Sequence, residues 1–147
     1  MPSRTFIQIM KLELLLRLAA LAQLGVVLLN LFLIRIMNWR PDLDAMPLLL
    51  REVFQIHVYF ISITLAIFGA VTWQFAGDIA SAAHPICVWL AIGIGVFWAI
   101  RSAMQWTHYS AVHWRGDRLR TVIHWMLFLG YGAFAVVYLT AASGGFH

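Results

Sequence analysis

The chain has 147 residues, of which 63% are hydrophobic and 11% are charged, and its mean hydropathy is +0.84. Soluble domains carry roughly a quarter charged residues, so this composition excludes an ordinary soluble protein and indicates an integral membrane protein. The net charge of +4 does not indicate nucleic-acid binding, because the basic residues flank apolar segments, where membrane topology and anionic lipid headgroups explain them.

Four apolar segments are each long enough to span a bilayer, whose hydrocarbon core of about 30 Å needs roughly 20 helical residues. The chain length leaves no room for a separate soluble domain. We therefore predict one all-α membrane domain over residues 1–147, an up-down-up-down bundle of four transmembrane helices. The predicted spans are residues 12–36, 48–75, 85–113 and 119–142.

The first span begins with a leucine run that resembles the apolar core of a signal peptide. Arg17 interrupts this run and the apolar segment continues to Ile34, so we expect a retained helix rather than a cleaved leader. Gln23 and Asn30 are seven residues apart and share one helix face, which we expect to point at other helices rather than at lipid.

A polar turn is predicted at residues 38–44, before the second span. Inside this span, beyond the rim pair Arg51 and Glu52, His57 is the only ionisable side chain. Ionisable side chains at membrane depth are costly and usually mark functional positions. His57 is therefore a candidate site residue.

The third span has a small residue at every fourth position. These residues are Cys87, Ala91, Gly95, Ala99 and Ala103. Such a stripe lets another helix approach closely, and we interpret it as a packing seam. Cys87 is the only cysteine, which excludes an internal disulfide and a cysteine-rich metal site.

The link between the third and fourth spans is short. Gly116 can adopt the left-handed conformation that ends a helix, and Asp117 can cap the next one. So short a link predicts an antiparallel helix pair.

The orientation follows from the arginines and lysine that flank the spans. If the first and third connections face the cytoplasm, six arginines lie on that side, against Arg4 and Lys11 on the other. The positive-inside rule then predicts that both termini lie outside the cytoplasm. We expect a bacterial inner-membrane protein.

Polar residues inside the spans define the candidate site. Arg101, Gln105 and His108 recur at positions i, i+4 and i+7 and so share one face of the third span. His57, His108 and His124 lie four to six residues inside the same predicted rim, which places all three about 6–9 Å below it.

Histidine is the commonest side-chain metal ligand, and helical bundles build such sites from facing helices. We predict a pocket for a b-type haem or a quinone, with His57, His108 and His124 as candidate metal ligands. The predicted cofactor-binding residues are His57, Arg101, Gln105, His108, His124 and Tyr131. Taken singly, each histidine is also consistent with an interfacial residue bonded to a neighbour. The pattern predicts a site and no particular reaction.

Two other functions fit the sequence. The first is a non-catalytic subunit or assembly factor that uses the small-residue stripe to bind a membrane-protein partner or a second copy of the chain. The second is an anionic-lipid-handling or carrier protein in which Arg101 and the arginines of the third connection hold a headgroup.

Overall fold

A computed structural model describes residues 4–108 and 118–144, the side chains of residues 4, 5, 119 and 120 excepted. Within these ranges the chain forms helices and no strands. The helices are α1 (Arg4–Ile36), α2 (Arg40–Asp44), α3 (Leu48–Gln74), α4 (Ala76–Ala80), α5 (Pro85–Thr107) and α6 (Arg118–Ser143). Among the described helices, α1, α3, α5 and α6 are long and apolar enough to cross a membrane. The predicted fold class, an all-α membrane protein with four transmembrane helices, is confirmed.

The bounds of the long helices differ from the predicted spans at two ends. α3 and α6 agree with prediction within one residue, but α1 begins at Arg4, eight residues before the predicted start, because no helix breaker lies between residues 4 and 12. α5 ends at Thr107, where the backbone N–H of His108 donates to the Met104 carbonyl and so satisfies one of the last carbonyls of the helix. Residues 109–113 of that predicted span, and the Gly116–Asp117 link, lie outside the described residues.

Two connections contain short helices: α2 occupies part of the polar turn predicted at residues 38–44, and α4 lies between α3 and α5. α2 begins with Pro41 in its first turn, a position that proline favours because its fixed φ suits a helix start. The residues Asn38 and Ala82 have φ values of 53° and 49°, in the left-handed region; Asn38 lies just before α2 and Ala82 just after α4.

The described chain divides into two compact units, and the single-domain organisation stays a prediction. One unit is Arg17–Phe75. In it, Gly69 of α3 lies so close to α1 that an added Cβ would be 3.2 Å from the Ala20 carbonyl oxygen. The guanidinium carbon of Arg17 lies 5.4 Å from the centre of the Trp73 ring. Gln23 is fully buried and donates to the Ala19 carbonyl, which confirms its predicted inward orientation.

The other unit, Met1–Leu16 with Ala76–His147, contains α5 and α6. The two helices pair antiparallel, because contacts that advance along α5 retreat along α6: Gly95 meets Leu139, Trp98 meets Phe134, and Ser102 meets Phe128. The predicted antiparallel pair is confirmed.

The small-residue stripe of α5 lies largely inside this unit. Cys87, Ala91 and Gly95 are buried, and Gly95 contacts α6. The predicted packing seam is therefore formed within the chain. Ala99 and Ala103 alone of the stripe retain an accessible surface.

Candidate functional site

One face of α5 supplies most of the polar groups of the candidate site. Trp98, Arg101, Ser102 and Gln105 stand at positions i, i+3, i+4 and i+7, which brings them to the same side of a helix. Trp98, Ser102 and Gln105 are buried, whereas Arg101 is only half-buried. The face therefore points into the α5–α6 contact and keeps one edge accessible at Arg101.

Arg101, Gln105 and His124 form a chain of hydrogen bonds, which we call the polar triad. An Arg101 guanidinium nitrogen donates to Gln105 Oε1 over 3.1 Å. Gln105 Nε2 lies 3.0 Å from His124 Nδ1, in a buried bond that joins α5 to α6. The triad thus links the half-buried Arg101 guanidinium on α5 to the buried His124 imidazole on α6.

The triad fixes the tautomer of His124. An arginine can only donate, so the Gln105 amide oxygen must face Arg101 and its NH₂ group must face His124. His124 Nδ1 therefore accepts, and the proton of the neutral ring lies on Nε2.

The aromatic side chains of Tyr131, Trp98 and Phe134 pack beside the triad, and we call them the aromatic floor. The guanidinium carbon of Arg101 lies 4.9 Å from the centre of the Tyr131 ring, a cation–π contact. Tyr131 in turn stacks on Trp98 with ring centres 5.1 Å apart, and Trp98 also contacts Phe134. Trp98 and Tyr131 are both buried, so the ring that contacts Arg101 is itself packed within the α5–α6 contact.

The charge of Arg101 is not neutralised by a carboxylate in the described part of the chain, where its contacts are Gln105 and Tyr131. Arg101 lies six residues from the end of α5, which is about 9 Å along the helix axis. A cation at this depth is expensive unless polar partners or a bound group compensate it. The site can therefore donate hydrogen bonds to an electron-rich acceptor group.

The structure brings together four of the six predicted cofactor-binding residues: Arg101, Gln105, His124 and Tyr131. His108 does not join them, because α5 ends before it. Its exposed ring lies 2.8 Å from the Thr107 hydroxyl. His57 belongs to the other unit, where its exposed ring bonds the Val53 carbonyl of its own helix.

The predicted histidine cluster has no support in this geometry. Among the described residues, no group of three or more His, Cys, Asp and Glu side chains is arranged to hold a metal ion. His57 and His108 instead bond groups of their own helix or its cap, which is the alternative that single interfacial histidines allow. The ligand set His57, His108 and His124 stays a sequence prediction.

The tautomer of His124 also works against its use as an axial haem ligand. A ligating histidine usually binds the metal through one ring nitrogen and donates the other N–H to an acceptor. Here Nδ1 accepts from Gln105, and the acceptor oxygen of that amide is already bonded to Arg101. Ligation through Nε2 would move the ring proton to Nδ1, so the Gln105 amide would have to turn its oxygen toward His124. Its NH₂ group would then face the Arg101 guanidinium, donor against donor.

Two residues of the site were not predicted from the sequence. Ser102 donates to the Phe128 carbonyl over 3.2 Å and so joins the two helices, and Trp98 supplies the floor under Tyr131. Their spacing to Gln105 is the signal that could have found them, because Trp98, Ser102 and Gln105 repeat with the helical period.

Comparison of the chain with protein-family models, with curated protein sequences and with solved structures finds no match.

Proposed function

We propose that this small integral membrane protein binds the headgroup of a membrane quinone at Arg101. The observation that carries the proposal is the half-buried Arg101 guanidinium, which lies six residues from the end of an apolar helix and contacts Gln105 and Tyr131 with no carboxylate beside it in the described chain. In this proposal Arg101 contacts the ligand. Gln105 and His124 are positioning residues that set the direction of the guanidinium.

The chemistry of a quinone suits this site better than that of a haem. Quinone carbonyls only accept hydrogen bonds, and the guanidinium only donates them. A haem would need a histidine lone pair, which the Gln105–His124 bond works against. A quinone needs no metal ligand, and its polyprenyl tail remains in the bilayer.

The depth of Arg101 also favours a quinone over a phospholipid at this position. The guanidinium belongs to a residue about 9 Å inside the end of α5, whereas a phosphate group stays in the headgroup layer outside the hydrocarbon core. A quinone headgroup is uncharged and can enter the hydrocarbon edge at much lower cost.

The proposed location is the inner membrane of a bacterium, with both termini outside the cytoplasm. The support is the excess of arginine in the first and third connections. Reporter enzymes fused to the carboxyl terminus test this orientation. A reporter active only in the periplasm should be active in this fusion, and activity of a cytoplasm-only reporter would reverse the orientation.

The binding test uses the full chain purified in mild detergent and titrated with decylubiquinone and with a short-chain menaquinone analogue. Quenching of tryptophan fluorescence reports binding. The variant Arg101→Gln removes the proposed ligand contact. Arg118→Gln is the matched control, because it loses the same charge at an exposed position outside the triad.

We expect saturable binding to the unaltered protein and a Kd raised about ten-fold or more in Arg101→Gln, since a hydrogen bond to a charged group contributes roughly 1.5–3 kcal/mol. Arg118→Gln should bind as the unaltered protein does. The positioning role of His124 predicts that His124→Leu weakens binding, while His124→Asn, whose amide oxygen can replace Nδ1 as acceptor, restores part of it.

Equal Kd values for Arg101→Gln and Arg118→Gln, or no saturable binding of either quinone, would overturn the proposal. A visible spectrum of the same preparation tests the haem alternative. A Soret band that disappears in His124→Leu would show that His124 is an axial ligand and that the tautomer argument is wrong.

A further inference from the structure

A second polar cavity lies in the unit Arg17–Phe75, where α1 ends and α3 begins. Its volume is about 480 Å³, and its polar lining consists of Arg35, Arg40, Arg51, Asp44 and Gln55. Apolar residues of α1 and α2 complete the wall. The cavity therefore combines a cationic surface with an apolar one at the rim of two transmembrane helices.

The arginines of this cavity are not equivalent. Arg51 donates to Asp44 over 3.1 Å in an ion pair. Arg35 and Arg40 are exposed and have no carboxylate partner in the described part of the chain. The cavity therefore has an excess of two positive charges, carried by guanidinium groups, which bind phosphate oxygens in a bidentate geometry.

An open apolar surface continues from this cavity along one face of α1, and we call it the groove. Its lining residues are Gly25, Leu28, Leu29, Phe32, Arg35 and Ile36, and Phe32 and Arg35 are shared with the cavity. These positions follow the helical period and so form one face of α1. From Ile36 to Gly25 the groove runs eleven residues, about 16 Å along the axis, which matches one leaflet of a hydrocarbon core of about 30 Å.

We infer that this cavity and groove bind one anionic phospholipid. The headgroup phosphate contacts Arg35 and Arg40, and one acyl chain lies along α1 as far as Gly25. The charge excess selects an anionic over a zwitterionic lipid, and the length of the groove selects a lipid over a soluble anion. This site lies in a different unit from Arg101 and does not depend on the proposed quinone binding.

The test measures lipid retention by the full chain. The protein is reconstituted in vesicles of equal phosphatidylglycerol and phosphatidylcholine, extracted in mild detergent, separated by gel filtration, and its bound lipids are quantified by mass spectrometry. Arg35→Gln and Arg40→Gln remove the proposed phosphate contacts, and Arg118→Gln again serves as the control of equal charge. Gly25→Phe fills the inner end of the groove, where an added Cβ meets no other atom within 4 Å.

We expect phosphatidylglycerol to be retained in preference to phosphatidylcholine, and each arginine replacement in the cavity to lower that retention about five-fold, the effect of one basic residue at an anionic surface. Gly25→Phe should lower it as well, and Arg118→Gln should not.

Three results would overturn the inference. The first is no preference for phosphatidylglycerol, and the second is equal lipid retention in Arg40→Gln and Arg118→Gln. The third is a preference for phosphatidylglycerol that persists in Gly25→Phe and is abolished by inorganic phosphate, which would show a soluble-anion site without an acyl chain.

Discussion

Replacing Gly95 by alanine should weaken the contact between α5 and α6. The new Cβ would lie 2.9 Å from Cγ and Cδ2 of Leu139 and 3.3 Å from its backbone nitrogen. Because Cγ and the backbone cannot swing aside as a side-chain tip can, the helices must separate or Leu139 must change its rotamer. Gly93, two residues earlier, has no atom within 4 Å of the corresponding Cβ position and provides the control.

The size of the effect follows from comparing these two positions. Alanine is favoured over glycine inside a helix by about 1 kcal/mol, and both variants gain this amount. Only Gly95→Ala also incurs the cost of overpacking, about 1–3 kcal/mol. The free energy of unfolding of Gly95→Ala should therefore lie about 1–3 kcal/mol below that of Gly93→Ala.

The assay is reversible unfolding in mixed micelles, in which the fraction of sodium dodecyl sulfate is raised and the helix content is followed by circular dichroism. Leu139→Ala removes the atoms closest to the new methyl group. Combined with Gly95→Ala, it should be less destabilising than the sum of the two single changes, because the residues are in contact. If Gly95→Ala and Gly93→Ala unfold at the same detergent fraction, the close approach of α5 to α6 at Gly95 is wrong.

Three further predictions use the same preparation. Ser102→Ala should lower the free energy of unfolding by about 0.6 kcal/mol, the usual contribution of a hydrogen bond between membrane helices. Ser62→Ala, whose hydroxyl bonds its own helix, should change it less, and the reverse order would contradict the assigned bonds. Trp98→Ala should lower the free energy of unfolding by about 3–5 kcal/mol, as is usual for a buried aromatic residue, because the Trp98 side chain is 1% exposed. A loss below about 1 kcal/mol would contradict the packing of Trp98 against Tyr131. Cys87 is buried and should react with a maleimide only after unfolding, so rapid labelling of the folded protein would contradict its placement.

The helices and the buried face of α6 could be predicted from the sequence. Apolar length identifies a membrane span locally. The spacing of five residues of α6 places them on one face, of which the structure buries His124, Tyr131, Ala135 and Tyr138 and half-buries Phe128. The start of α1 and the end of α5 were predicted less accurately than the other helix bounds. No helix breaker marks a start for α1 at Leu12, and no residue type near Thr107 marks an end for α5.

The candidate site was only partly predictable. Arg101, Gln105 and His124 were recognised because polar residues are rare in apolar spans, but the sequence grouped them with His57 and His108, which bond their own helix or its cap. Residue type and depth along a helix are properties of the sequence itself. The rotation of each helix about its axis is not, because it depends on which side chains fit together. That fit, Gly95 against Leu139 and Trp98 between Tyr131 and Phe134, turns Gln105 toward His124, and only the tertiary structure decides it.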